Sequence, residues 1–208
     1  MKISVSLLNA KDRIKTLEIL NKAHIDYVHV DVMDGNFIHH KEFSYDEIVK
    51  ISSLSEKKLD IHLMVNDPEK YIERLVVLSN INNITFHVEI DKDIDKIIDL
   101  IRKYNIRCGL SIKPETDIQE LEPYLDKIDL ILVMTVNPGK GGQKLIPSTV
   151  KKMHDIKTMI KNFPIDLEVD GGINNDTIKD VKEASIAVVG SYITKSNNMI
   201  ERINTLKE

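Results

Sequence analysis

Cysteine is almost absent: Cys108 stands alone in 208 residues, so no intrachain disulfide can form. Long apolar runs are missing too. No segment is long enough to cross a bilayer, and the opening stretch Met1–Leu8 is too short an apolar run for a signal peptide. Basic residues are not in excess. The 29 Lys and Arg face 33 Asp and Glu, a net charge of −4, which counts against nucleic acid or an anionic membrane surface as the main partner. No linker or compositional break divides the chain, and its length suits one well-filled core, so residues 1–208 are expected to form a single domain. A cytoplasmic enzyme fits these absences.

What is present is a regular alternation of β-branched runs with longer charged, amphipathic segments. Strands are expected at Lys2–Leu7, Tyr27–Met33, Leu59–Met64, Ile84–Val88, Arg107–Ile112, Leu130–Met134, Ile165–Asp170 and Ala187–Gly190. Helices are expected between them. Lys11–Ala23 carries Ile14, Leu17 and Leu20 on one face, and Asp91–Tyr104 carries Ile94, Ile97, Ile98 and Ile101. Asp67-Pro68-Glu69 reads as a helix start with Asp as N-cap, and the same reading applies before Thr149–Phe163 and Thr177–Ala184. Eight strands alternating with eight helices imply parallel strands and crossover helices. An open doubly wound sheet would gather its site at one switch point. Here the polar candidates fall at the ends of six different runs, which favours a single (β/α)₈ TIM barrel with brief loops.

Those candidates begin with Tyr27-Val28-His29-Val30-Asp31-Val32-Met33-Asp34-Gly35, where His29 and Asp31 share one strand face. His62 in Leu59–Met64 and Asp170 in Asp166–Gly172 occupy corresponding strand ends. Buried polar groups of this kind are costly unless they bind something or one another. Two histidines and two aspartates suit Zn²⁺ or another first-row divalent ion. On spacing alone, hydrogen-bonded core histidines and turn aspartates stand as an equal alternative. Glycine clusters follow the sixth, seventh and eighth runs at Gly139-Lys140-Gly141-Gly142, Gly171-Gly172 and Gly190-Ser191, where barrels commonly bind phosphate.

Taken in order, Ser6-Leu7-Leu8-Asn9, His29–Gly35, Asp60–Val65, Met134–Gly139 with Gly141-Gly142-Gln143, Glu168–Ile173 and Gly190-Ser191 resemble the ribulose-phosphate 3-epimerase family over essentially the whole chain. The resemblance implies a barrel that binds one divalent metal, zinc first with Fe²⁺, Mn²⁺ or Co²⁺ as alternatives, and interconverts D-ribulose 5-phosphate and D-xylulose 5-phosphate. Carried over position by position, His29, Asp31, His62 and Asp170 are the metal ligands, and Asp31 and Asp170 are also the acid/base pair. Ser6, His62 and Asp170 face the sugar. Gly139, Lys140, Gly141, Gly142, Gly171, Gly172, Gly190 and Ser191 surround the phosphate. Met33, Met64 and Met134 form an apolar, polarizable wall that excludes water, although methionines so placed also serve as core filler. Asp60 and Glu168 share the inward face and are read as groups that orient the ligands. A homo-oligomer acting on a small sugar phosphate is expected.

The chain departs from the family pattern in three places. The loop Asn36–Tyr45 lacks the usual Pro-Asn pair, Thr and Gly-Pro, Lys140 replaces a usual Phe, and Val5 and Lys11 replace a usual Pro and Asp. His39-His40 in that loop reads as an exposed pair rather than a second metal site. A close functional variant is a 3-epimerase of a hexulose 6-phosphate such as D-allulose 6-phosphate. A lyase, decarboxylase or aldolase on the same barrel is a more distant alternative. The Asp-x-Lys-x-x-Asp signature of related decarboxylases is missing, and Lys113 is the one lysine placed for Schiff-base chemistry, with a solvated loop position as its plainer reading. A non-catalytic sugar-phosphate sensor would have no use for two opposed aspartates.

Overall fold

Period-two alternation along each strand separates two environments. On the second strand, Val28, Val30 and Val32 are fully buried in the large core shared with the helices, while His29 and Asp31 point the other way, into the interior of a barrel. The computed structural model describes residues 1–207. In chain order these form β1 (Lys2–Ser6), α1 (Arg13–Lys22), β2 (Tyr27–Asp34), β3 (Lys41–Glu42), α2 (Tyr45–Leu54), β4 (Lys58–Met64), α3 (Pro68–Leu75) and β5 (Ile81–His87). There follow α4 (Ile94–Arg102), β6 (Arg107–Ile112), β7 (Leu130–Met134), α5 (Ser148–Met159), β8 (Asp166–Asp170), β9 (Ile186–Val189), α6 (Ser191–Thr194) and α7 (Met199–Thr205).

Eight strands pair in parallel around a ring, β1-β2-β4-β5-β6-β7-β8-β9, and β9 closes on β1. The ring is a (β/α)₈ barrel, as the alternation of runs implies. The short β3 pairs antiparallel with the end of β2 and lies inside the divergent 36–45 loop, where no strand is expected from sequence. The barrel interior is split by chemistry. Leu130, Leu132, Met134 and Ile186 form a small apolar cluster with Tyr27 and Val136 on one side. Ser4, Ser6, His29, Asp31, Asp60, His62, Asn83, Thr85, His87, Ser111 and Glu168 are buried polar groups facing it.

Two crossovers differ from the expected α-helices. Ile118–Tyr124 is a 3₁₀ helix, and Pro123 inside it removes a donor that an α-helix would need. Thr177–Ala184 shrinks to a 3₁₀ turn at Ile178–Val181. There the Asn174 carboxamide oxygen accepts from the Asp176 and Thr177 amides, a local turn that competes with helix initiation. Asp67 occupies the N-cap position of α3 without capping it, because its carboxylate pairs with Lys70 and Lys92 instead.

Gly109 on β6 marks where the interior has no room. A Cβ there would lie 2.4 Å from Thr85 Oγ1 and 2.9 Å from Leu130 Cδ2. Gly109→Ala is expected to cost roughly 1–3 kcal/mol by overpacking. Urea unfolding should show a lower midpoint at unchanged m-value; a wild-type midpoint would mean that β5 and β7 give way freely.

Candidate active site

Strand register assembles the cluster. Across β2 and β4, His29 lies beside Asp60 and Asp31 beside His62; across β1 and β2, Ser6 lies beside His29. Asp170 arrives from β8, level with Met134 of β7. One donor atom from each of His29, Asp31, His62 and Asp170 lies within 4.8 Å of the others. The four residues singled out in the sequence therefore meet at one point, at the carboxyl ends of the strands.

Hydrogen bonds fix most of this set. Asp31 Oδ1 stands 3.1 Å from His29 Nε2 and 3.2 Å from His62 Nδ1, and Asp31 Oδ2 accepts from Ser6 Oγ at 2.7 Å. His29 Nδ1 lies 2.7 Å from Asp60 Oδ2. Asp60 also accepts from Ser4 Oγ and Asn83 Nδ2, both at 2.7 Å, so its expected orienting role has a geometric basis. Glu168 is different. Its two carboxyl oxygens are buried without a hydrogen-bond partner among the described residues.

The charges are strongly skewed. Burial would raise the Asp31 carboxyl, but the charge of His29 and the hydrogen bond from that ring outweigh it and hold Asp31 well below the usual carboxylate range. Asp60 is lowered in the same way, chiefly by His29. Burial opposes protonation of His29, yet Asp60 and Asp31 beside it push its pKa well up. Asp170 is pushed up to about 7, first by loss of hydration and then by the charge of Asp31. Burial and the charge of Asp60 keep Glu168 well above its ordinary value. A buried region with this much carboxylate calls for a cation. The donor set, two imidazoles and two carboxylates of which Asp170 has no hydrogen-bond donor among the described residues, fits a divalent metal ion.

Above the cluster opens a cavity of about 70 Å³. Ser6, Asp31, Met33, Met64, Met134, Gly139, Lys140, Gly141, Gly142, Asp170, Gly171, Gly172, Gly190 and Ser191 all line it. His29 and His62 are fully buried and lie outside the cavity lining. The three methionines are nearly inaccessible, as a wall excluding water requires. Gly172 has a left-handed φ of +70°, and a Cβ on it would sit 2.3 Å from the Leu145 amide nitrogen, so only glycine allows the two loops this approach. Gln143 staples the 137–142 segment by donating to the carbonyls of Asn137 and Lys140, both at 2.7 Å. Lys195 escapes a reading of the sequence. Its Nζ lies 3.5 Å from where a Cβ of Gly142 would be, beside Ser191, and nothing in its local sequence marks it.

His87 escapes it as well, although the signal is there. Thr85-Phe86-His87-Val88-Glu89 repeats the strand-end pattern that marks His62, and His87 Nε2 lies 3.0 Å from His62 Nε2. Beyond β2 the divergent loop is held by Asp34. Its Oδ1 accepts from the Asn36 and Phe37 amides at 2.8 and 2.9 Å, and its Oδ2 from Asn66 at 3.0 Å. His39 and His40 are exposed, His40 pairs with Glu42, and neither joins a metal-type cluster among the described residues. The Lys113 ammonium rests over the Phe37 ring, 4.2 Å from its centroid.

A closed (β/α)₈ barrel gathering two histidines and two aspartates beside a glycine-lined cavity belongs, as a class, with the barrel enzymes that work at their carboxyl-terminal strand ends. Within that class the chain belongs to the ribulose-phosphate 3-epimerase family, whose model matches residues 2–194, and it is an isomerase. The ribulose-phosphate 3-epimerase of Helicobacter pylori strain J99 is 34% identical over 202 residues, covering 95% of this chain and 93% of that protein. That of Bacillus subtilis strain 168 is 31% identical and covers 100% and 98%. Among solved structures, KGPDC from Streptococcus mutans superposes with a TM-score of 0.74 at 14% identity, covering 99% and 95% of the two chains. The 3-hexulose-6-phosphate synthase from Salmonella typhimurium gives 0.69 at 18%, covering 99% and 96%. These two likenesses concern the fold.

Asp34 yields a test of loop order. Burial works against its ionisation, but the amides of Asn66, Phe37 and Asn36 lower its pKa from 3.8. The stability it contributes is thus present above that value and lost as pH falls below it. Asp34→Ala should cost about 1–3 kcal/mol locally, with faster hydrogen exchange at the Asn36, Phe37 and Asn66 amides. Unchanged exchange at those three positions would show that the loop orders itself.

Proposed function

We propose that this chain inverts C3 of a ketose phosphate, interconverting D-ribulose 5-phosphate and D-xylulose 5-phosphate. The observation that carries the reading is the meeting of Asp31 and Asp170, from opposite parts of the ring, at one cavity in a chain of this family. His29, Asp31, His62 and Asp170 would hold a divalent ion, with zinc the first choice and Fe²⁺, Mn²⁺ or Co²⁺ as alternatives. When bound, such an ion supplies positive charge to the oxygens on which negative charge develops.

Inversion at C3 needs a proton removed from one face and another returned to the opposite face. Two carboxyl groups on either side of the sugar do this without either having to travel. One aspartate accepts while the other donates, and the roles exchange with reaction direction. Ser6, bonded to Asp31, holds that carboxylate in place and presents its hydroxyl to the sugar. Met33, Met64 and Met134 keep bulk water from the reacting carbon. At the far end, backbone N–H groups of the glycine loops at 139–142, 171–172 and 190–191 receive the phosphate, with Lys140 and Lys195 adding positive charge. A rice relative is named as a cytoplasmic isoform, and we assign this chain to the same compartment.

Solvent-deuterium exchange at C3 of ribulose 5-phosphate, followed by NMR with and without chelator, tests the reaction. Exchange that depends on metal is expected. Exchange with a hexulose 6-phosphate alone would move the substrate, and exchange with neither would overturn the reading. Asp170→Asn and Asp31→Asn are each expected to lower epimerisation by at least about 10²–10⁴-fold while the barrel stays folded; wild-type turnover in either would sink the two-aspartate mechanism. Lys140→Met and Lys195→Met should raise KM severalfold and flatten its dependence on salt. An unchanged KM would remove that lysine from the phosphate end.

A further inference from the structure

β5 ends in His87, fully buried behind His62 and outside the four-residue cluster. The two rings stack with centroids 5.0 Å apart, and their Nε2 atoms are separated by 3.0 Å. Two imidazole nitrogens at that distance share one proton, so one donates and the other accepts. The choice is made at the far side of His87. Its Nδ1 lies 2.8 Å from Glu89 Oε2, while Glu89 Oε1 accepts from the Lys113 amide and the Thr116 hydroxyl, both at 2.7 Å. Burial opposes ionisation of Glu89, but His87 and these donors pull it down to about 2, so it can only accept. The loop that supplies the donors is itself pinned, because Lys152 Nζ donates to the carbonyls of Lys113, Pro114 and Thr116.

The protons then fall in one order. His87 Nδ1 carries a proton and gives it to Glu89, which leaves Nε2 of the neutral ring bare. His62 Nε2 must therefore donate to His87, and His62 Nδ1 is left as a lone pair 3.2 Å from Asp31 Oδ1. A lone pair aimed at a carboxylate oxygen is repulsive unless a cation lies between them. We infer that His87 and Glu89 are positioning residues, a two-step relay that fixes the His62 tautomer so that its Nδ1 faces the cluster as a ready metal donor. His29 needs no such relay, since its Nδ1 reaches Asp60 directly. Carboxylates placed behind a ligating imidazole commonly have this role; here the carboxylate acts through a second ring. Phe37 covers His87 with its centroid 4.7 Å away, sealing the relay under the divergent loop.

The inference rests on the proposed metal centre, and the test separates the two. Zinc affinity of the intact protein is measured by competition with a chromophoric chelator, and imidazole protonation by long-range ¹H–¹⁵N NMR. In zinc-loaded wild type, His62 should bind through Nδ1 and keep a proton on Nε2. His87→Phe should weaken zinc binding by roughly 10- to 100-fold, and His87→Gln, which can still accept from His62 and donate to Glu89, should restore most of it. Glu89→Ala should let both His62 tautomers appear in the zinc-free protein. A His62 bound through Nε2, equal zinc affinity in wild type and His87→Phe, or a single His62 tautomer in Glu89→Ala would overturn the relay while leaving the metal centre standing. A wild type that takes up no zinc, cobalt, iron or manganese would overturn the centre itself.

Discussion

The carboxylate of Asp31 is where three strands of the barrel are tied together. It receives the Ser6 hydroxyl from β1, stands against His29 on its own strand and against His62 on β4. An ionised carboxylate in so dry a place is tolerable only because donors and positive charge converge on it. The rest of the polar interior follows from that need. Asp60 balances His29 from below, and Ser4 and Asn83 hold Asp60. Asp170 has no hydrogen-bond donor of its own among the described residues, and burial with the charge of Asp31 pushes its carboxyl up to about 7.

The closed ring makes this arrangement affordable. Each of the eight ring strands pairs on both sides, so the strands can carry polar side chains inward without fraying. The helices bury the opposite faces, where Val28, Val30, Val32, Ile61, Leu63, Leu167 and Val169 are essentially inaccessible. Stability and chemistry are thus assigned to alternate residues of the same strands. The interior is asymmetric as a result: leucines and Met134 of β7 face a polar arc that runs from β1 to β6, with Glu168 of β8 as a further buried polar group.

The likeness to KGPDC and 3-hexulose-6-phosphate synthase concerns the scaffold, and the family match is what narrows the chemistry. Asn36–Tyr45 carries Phe37, whose ring lies against both His87 and the Lys113 ammonium. The 36–45 loop therefore touches the buried chain of imidazoles behind His62.

Periodicity by itself determined the barrel strands to within a few residues at their ends, and their order, because β-branched runs of period two leave little freedom in a closed parallel ring. It also determined that His29 and Asp31 share a face and that His62 and Asp170 occupy equivalent strand ends. Only the tertiary structure decided the register that brings those four within 4.8 Å of one another, since side-chain proximity across strands depends on stagger and not on spacing along the chain. It alone also revealed the 3₁₀ crossovers, the approach of Lys195 to Gly142 and the contact between His62 and His87. The last has a plain physical reason: a histidine 25 residues away in sequence becomes a neighbour only when β4 and β5 are laid side by side.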